Sequence, residues 1–325
     1  MTKKVEISHR TIIFTVFFLL GLWFLFEIRQ IILALFVSLI LMSAFNPSVN
    51  RLEKWRFPRW LAILIIYLGV LGILILGLAG IIPALIEQTG SFVEKIPLLF
   101  RQFTFLGIDS NILASQIAQL GTIPANILKL TVSLFSNIIA VFALFVITFY
   151  LLLERRNLDT YLQVLFAGGG EKKAKEFVDK VEERLGSWVR GEMTLMIIIG
   201  VTIYVGLKLL GIDFALPLAI LAGVLEIVPN IGPIISAAPA VLMGLVISPV
   251  MALAVAALYF LVQQAENTLI VPKVMQKTVG VNPLVTILSL AVGFKLAGSI
   301  GAVLAVPAVL LIEVVISEWY NGLRL

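Results

Sequence analysis

The stretch Gly223-Val-Leu-Glu226-Ile-Val-Pro229-Asn230-Ile-Gly232-Pro233-Ile-Ile-Ser-Ala-Ala-Pro239 decides how the chain is read. It is apolar over most of its length, yet it carries a carboxylate, three prolines and two glycines. Proline lacks a backbone donor and clashes with the preceding turn, so Pro229 and Pro233 break a helix here and free carbonyls. Irregular backbone at membrane depth is tolerated only where protein buries it or where it lines a cavity. An ionisable group beside such a break, here Glu226, is a candidate functional site.

The surrounding composition sets the depth. Of the 325 residues, 60% are hydrophobic and 13% charged, with mean hydropathy +1.09. Soluble domains hold about 45–50% apolar residues, so this is an integral membrane protein. A helix needs about 20 residues to cross the hydrocarbon core, and Trp60 to Ile82 and Leu130 to Leu153 supply that length without a charge. No segment alternates at period two over the length of a barrel strand. The fold class is therefore an all-α polytopic membrane protein. We expect about six full transmembrane helices plus two Gly/Pro-broken hairpins, an external amphipathic arm and a cytoplasmic amphipathic helix.

The other classes lose support on residue counts. Cysteine is absent and His9 is the only histidine, so neither thiolate or His-based metal centres nor a Ser/His triad can be assembled. No phosphate loop, His-Glu-x-x-His or Gly-x-Ser-x-Gly occurs. The expectation is a non-enzyme without a cofactor. A net charge of +5 reflects loops beside spans rather than nucleic-acid binding. The amino-terminal apolar run ends without a small-residue cleavage site and reads as a retained helix.

Working outward, Thr11 to Phe26 and Gln30 to Pro47 are separated by Glu27, Ile28 and Arg29 and read as a tight helical hairpin. Together with Trp60 to Ile82 and Leu130 to Leu153 they form an amino-terminal region of four spans, 1–153, containing an external arm, 83–128. Residues 154–192 form a cytoplasmic amphipathic segment, with Phe177, Val181, Leu185 and Trp188 on one stripe. Residues 193–325 form a transport core, opening with a span at Met193 to Ile212. With both termini cytoplasmic, 18 of the 24 Lys and Arg fall on the inner side, as the positive-inside rule requires.

The core contains a pseudo-repeat. Residues 211–246 and 280–315 both open on Gly, are broken midway by Gly or Pro, and close on Pro-Ala-Val-Leu, at 239–242 and 307–310. One helix, about Val250 to Gln264, lies between them. Thirty-six residues suit a re-entrant hairpin better than two full crossings, although full crossings give the same orientation. Interrupted segments in corresponding halves point to a transporter's binding site.

The polar residues of the core are the candidate chemistry. A carboxylate kept from water, as Glu226 is expected to be, suits a group that exchanges a proton or a cation; snorkelling or helix capping is the plainer alternative. Gln263, Glu266 and Asn267, at spacings of three and four, are expected to share one helix face. Lys295 is available to pair with Glu226 or Glu266, or to anchor at the interface.

Taken in order, Glu226-x-x-Pro229-x-x-Gly232-Pro233, Gln263-Gln264-x-Glu266-Asn267, Val271-Pro272-Lys273, Gly280-Val281-Asn282-Pro283-Leu284 and Gly298-x-x-Gly301-x-x-Leu304-Ala305-Val306-Pro307 resemble the autoinducer-2 exporter family. Asn46-Pro47 and Pro58-Arg59 match it too, while Asn230 and Phe294 depart from its usual pattern. The resemblance implies a multi-pass transporter of the inner membrane, homo-oligomeric and with a pentamer as one form, driven by a source other than ATP. Its partners would be the lipid bilayer and a small polar solute, Na+ or H+. The substrate or ion site would comprise Glu226, Pro229, Asn230, Gly232, Pro233, Gln263, Glu266, Asn267, Asn282, Pro283 and Lys295. The leading reading is a secondary exporter working by alternating access; the alternatives are a sodium/proton antiporter and a non-transporting membrane scaffold.

Overall fold

Ile28 is the one residue between the first two helices, and nothing about it can reverse a chain. In the computed structural model, which describes residues 9–73, 75, 76, 79, 83, 138–165, 170–229, 231–275 and 283–322, α1 (His9–Glu27) runs through Ile28 into α2 (Arg29–Lys54). Helical amide bonds cross the junction, from Ile28 to the Phe24 carbonyl and from Ile32 to the Ile28 carbonyl, each 3.0 Å. The hairpin expected between Thr11–Phe26 and Gln30–Pro47 is therefore not formed. Glu27-Ile28-Arg29 contains no Gly, Pro or Asn to supply a turn, and α1 is exposed from Arg10 to Glu27.

The carboxy-terminal half of α2 packs against α3 (Arg59–Ile73) and α4 (Ile138–Glu154) around Met42, Val49, Ala62, Ile63, Tyr67 and Leu152. The external arm 83–128, Pro83 apart, lies outside the described residues. A 3-10 turn, Arg155–Asn157, leads to the short α5 (Leu158–Leu165). Helix α6 (Glu171–Leu209) then runs unbroken for 39 residues. The part of the amphipathic segment from Glu171 and the span expected from Met193 are thus one helix, and the boundary at 192/193 falls inside it. Val181, Leu185 and Trp188 of the amphipathic stripe are buried against other helices, not laid on the membrane surface.

The core region follows the sequence's breaks. Helix α7 (Ala215–Leu225) and α8 (Ile231–Ile247) flank the Glu226–Pro229 turn. Helix α9 (Pro249–Ala265) begins at Ser248, whose Oγ accepts from the Met251 amide at 3.1 Å, with Pro249 at the first helical position. A π-turn, Glu266–Ile270, and the short α10 (Val271–Val274) end that element. Helix α11 (Pro283–Gly322) is folded at Ala297 and Gly298, where Gly298 has φ +61°. Its two arms touch backbone to backbone: a Cβ on Gly301 would lie 1.9 Å from the Gly293 carbonyl oxygen. Pro283–Gly322 is accordingly a helical hairpin, and its break falls 68 residues after Pro229 and position 230, the offset that also separates the two Pro-Ala-Val-Leu runs.

Helices α6, α7, α8 and α9 share one core of Ile199, Ile203, Leu207, Leu218, Ala222, Ala240, Val255, Tyr259 and Val262, among others. At 11 residues α7 is about 16 Å long, half the hydrocarbon thickness. Val228, in the first break, packs against Leu290, Ala302 and Ala305 of the second hairpin. The two broken segments therefore meet. Among the described residues, five helical segments are long and apolar enough to span a membrane, Arg10–Glu27, Arg29–Lys54, Glu171–Leu209, Pro249–Val274 and Leu284–Tyr320, the last of them folded at Ala297 and Gly298. Among the described residues there is no strand, and the chain is an all-α polytopic membrane protein.

Candidate functional site

The site begins at the carboxy-terminal end of α7. Glu226 closes that helix, its amide bonded to the Ala222 carbonyl at 3.1 Å, and its side chain turns inward with 1% exposure. The carbonyls of Val224, Leu225, Val228 and Pro229 accept from Ile227, Val228, Gly232 and Ile231 in turn, at 2.8–3.3 Å. The break therefore takes up much of the backbone that two prolines were expected to free. This tight winding needs Gly232, where a Cβ would stand 1.9 Å from the Leu225 carbonyl oxygen. Pro233 is half-buried, and its carbonyl accepts from Ser236 Oγ at 3.0 Å.

The second contribution comes from the π-turn after α9. A π-turn holds an extra residue per turn and is frequent at functional sites. Glu266, the first residue of the turn, continues the buried line Ala252, Val255, Tyr259, Val262 of α9 and is 5% exposed, while Asn267 faces outward. The expectation that Gln263, Glu266 and Asn267 share a face holds for the first two only. Gln263 Nε2 donates to Glu266 Oε2 at 3.3 Å, and Asn267 is exposed, on the outward line of Ala257, Phe260 and Gln264.

Glu226 and Glu266, from two different broken elements, lie within hydrogen-bonding reach of each other. Two carboxylates can be joined only through a shared proton or a shared cation. Neither makes an ion pair among the described residues, and Glu226 Oε2 finds no donor. Lys295 does not supply the cation: it is exposed, whereas both acids are buried. Beside Glu266 is a cavity of about 10 Å³ lined by Ile203, Ala222, Pro233, Ser236, Tyr259 and Gln263, among others. That is room for about one water molecule. The Tyr259 hydroxyl is buried there without a partner.

Sequence reasoning missed a third acid. Glu192 is 4% exposed and lies on the face of α6 that packs against the end of the Glu266 π-turn and the residues after it. Its signal was present: it falls on the stripe Leu185, Trp188, Leu195, Ile199 of α6, at spacings of three and four. Tyr259 and Ser236, apolar-looking neighbours in the sequence, were missed as well. Asn230 and Asn282 lie outside the described residues, and Pro283 opens the second hairpin.

A second polar cluster joins α2, α3, α4 and α6. Arg59 donates to the Leu152 carbonyl (2.7 Å), Asn46 Oδ1 (2.9 Å), Asn50 Oδ1 (3.0 Å) and Glu53 (2.9 Å). Arg155 donates to Glu182 (2.5 Å) and to Asp179, and Asn46 Nδ2 donates to Glu182. Burial works against the Arg155 charge, but Glu182 and Asp179 outweigh it, and the guanidinium is held above its ordinary value. This cluster bounds a cavity of about 280 Å³ with Ser43, Glu183 and Arg190.

Comparison with known proteins places these features in a lineage. The family model described as "AI-2E family transporter" matches residues 12–321. Among curated proteins, the chain is 28% identical over 319 residues to "Putative transport protein YrrI" of Bacillus subtilis (strain 168), covering 92% of this chain and 90% of that protein. It is also 28% identical over 319 residues to "AI-2 transport protein TqsA" of Escherichia coli (strain K12), covering 94% of this chain and 90% of that one.

Proposed function

The chain belongs to the AI-2E family of transporters, and we propose that it is a secondary transporter that exports a small polar solute, with Glu226 and Glu266 as its proton- or cation-exchanging pair. One observation carries this reading. Two buried carboxylates from two interrupted helices face each other with no basic partner among the described residues. Such a pair is stable when it holds a proton or a cation and unstable when it holds neither, and that difference is what couples a gradient to a conformational change. The contact between the two hairpins, at Val228 and Leu290, supplies packing through which the state of the pair reaches both broken segments. The relative named for AI-2 supports a furanosyl-type signal as the first solute to try.

A second reading, sodium/proton antiport, is favoured by the size of the cavity. At about 10 Å³ it admits a water, a proton carrier or a bare small cation, and no furanose. The two readings separate in inside-out proteoliposomes. A solute exporter accumulates the furanosyl signal under an imposed proton gradient and is indifferent to sodium alone. An antiporter dissipates the gradient when sodium alone is added. In either case Glu226→Gln abolishes the flux. A wild type that moves neither solute nor ion in any arm of the assay overturns both.

A further inference from the structure

Glu192 stands where a helix that only needed packing would carry Leu. On α6 it continues the buried line of Leu185, Trp188, Leu195 and Ile199, while the next two residues, Met193 and Thr194, face outward. Trp188 and Leu195, a turn before and a turn after it, share a core with Met275 and with Ile270, Val271 and Val274, the residues that end the Glu266 π-turn and follow it. Gly191 fits against Met275, whose Sδ lies 2.6 Å from where a Cβ would be. The packing thus presses this length of α6 onto the element that carries Glu266.

Two further observations bear on what the acid does there, and two on the site around it. Glu192 Oε1 is buried without a hydrogen-bond partner. The charged groups on the elements packed against α6 are engaged elsewhere or exposed: Glu53 with Arg59, Asp159 with Lys175 and Glu318 with Lys180, while Arg51, Lys273, Lys295 and Glu313 are exposed. Independently of the acids, the Tyr259 hydroxyl, 7% exposed and unpartnered, lines the water-sized cavity beside Glu266 and Gln263, an arrangement that asks for a guest able to bond it. Among the described residues no three acidic side chains converge to hold a metal ion, so a shared divalent ligand is not what the geometry offers.

We infer that Glu192 is a third proton-carrying residue of the exchange site, coupled to the Glu226–Glu266 pair through Glu266. An acid in this position gains and loses a proton in step with its neighbours, because interacting groups titrate as a unit rather than singly. The transport cycle therefore involves the charge state of three carboxylates from three elements, α6, the α7–α8 break and the π-turn.

The inference rests on the exchange-site reading above, but its test needs no transported solute. Infrared difference spectra of the purified full chain in nanodiscs, taken as pH is stepped, report the carbonyl band of each buried carboxyl group. Glu226→Gln and Glu266→Gln assign the pair, and Glu192→Gln assigns Glu192. We expect Glu192→Gln to remove one buried-carboxyl signal and to move the midpoint of the pair's signal by about tenfold in proton concentration or more, the threshold for coupled titration. Glu192→Asp, which withdraws the carboxyl by one methylene, moves both signals together and serves if the Gln variant does not accumulate. A pair signal with the same pH course in both variants overturns the inference. Failure of the exchange-site reading looks different: no flux in proteoliposomes, whatever the spectra show.

Discussion

The two polar clusters are built from the same residue types and teach opposite lessons. Where α2, α3, α4 and α6 meet, the half-buried acids have partners: Glu53 has Arg59, and Glu182 has Arg155 and Asn46. Around the broken helices, Glu192, Glu226 and Glu266 are more deeply buried, and Gln263 is their one neutral hydrogen-bond donor among the described contacts. A buried acid with its cation is a structural joint whose charge is fixed. A buried acid without one is held neutral unless an ion reaches it, so its charge is open to change by a proton or an ion.

The contrast is broken or sharpened by four substitutions. The largest effect is expected from Glu226→Gln, which should lower proton-linked flux in proteoliposomes by about 100-fold or more, the scale of losing a required proton-transfer group. Its thermal unfolding temperature should be unchanged or higher, since an unpaired buried carboxyl is being neutralised; a large loss of stability with flux retained would make the acid a joint like Glu182. Arg155→Ala should do the reverse. It leaves Glu182 without its charged donor and should cost about 1.5–3 kcal/mol in denaturation measurements, with flux per folded molecule retained.

Gly301→Ala tests the hairpin rather than the charges. Its Cβ would collide with the Gly293 carbonyl, so the arms must part, at about 1–3 kcal/mol and with a matching fall in unfolding temperature. The smallest effect belongs to Lys180→Ala. The Lys180–Glu318 pair, 2.7 Å long, has both side chains more than a third exposed. Its loss should change stability by about 0.5 kcal/mol or less, and a larger change would mean that the paired cluster extends to the end of α11.

Legibility in the sequence follows the range of the interaction responsible. The breaks at Glu226–Pro229 and Gly298 were readable because proline and glycine act on their own few residues of backbone. Glu226 and Glu266 were readable as polar residues beside those breaks. The turn expected at Glu27-Ile28-Arg29 was an inference from length alone, with no turn-forming residue behind it, and the chain goes straight on. Lys295 looked like a partner because it was the available charge, but proximity in a repeat is not contact.

Apolar length, proline and glycine act locally and additively, and they suffice to specify a helical membrane protein with two interrupted hairpins. Only the tertiary structure decided which acids meet. Glu266 ends the buried line of α9, and the packing of Trp188 and Leu195 on the residues after it brings Glu192 from another helix against the same element. Hydrophobic periodicity places each acid on the buried face of its own helix, but which faces meet depends on how separate segments dock against one another.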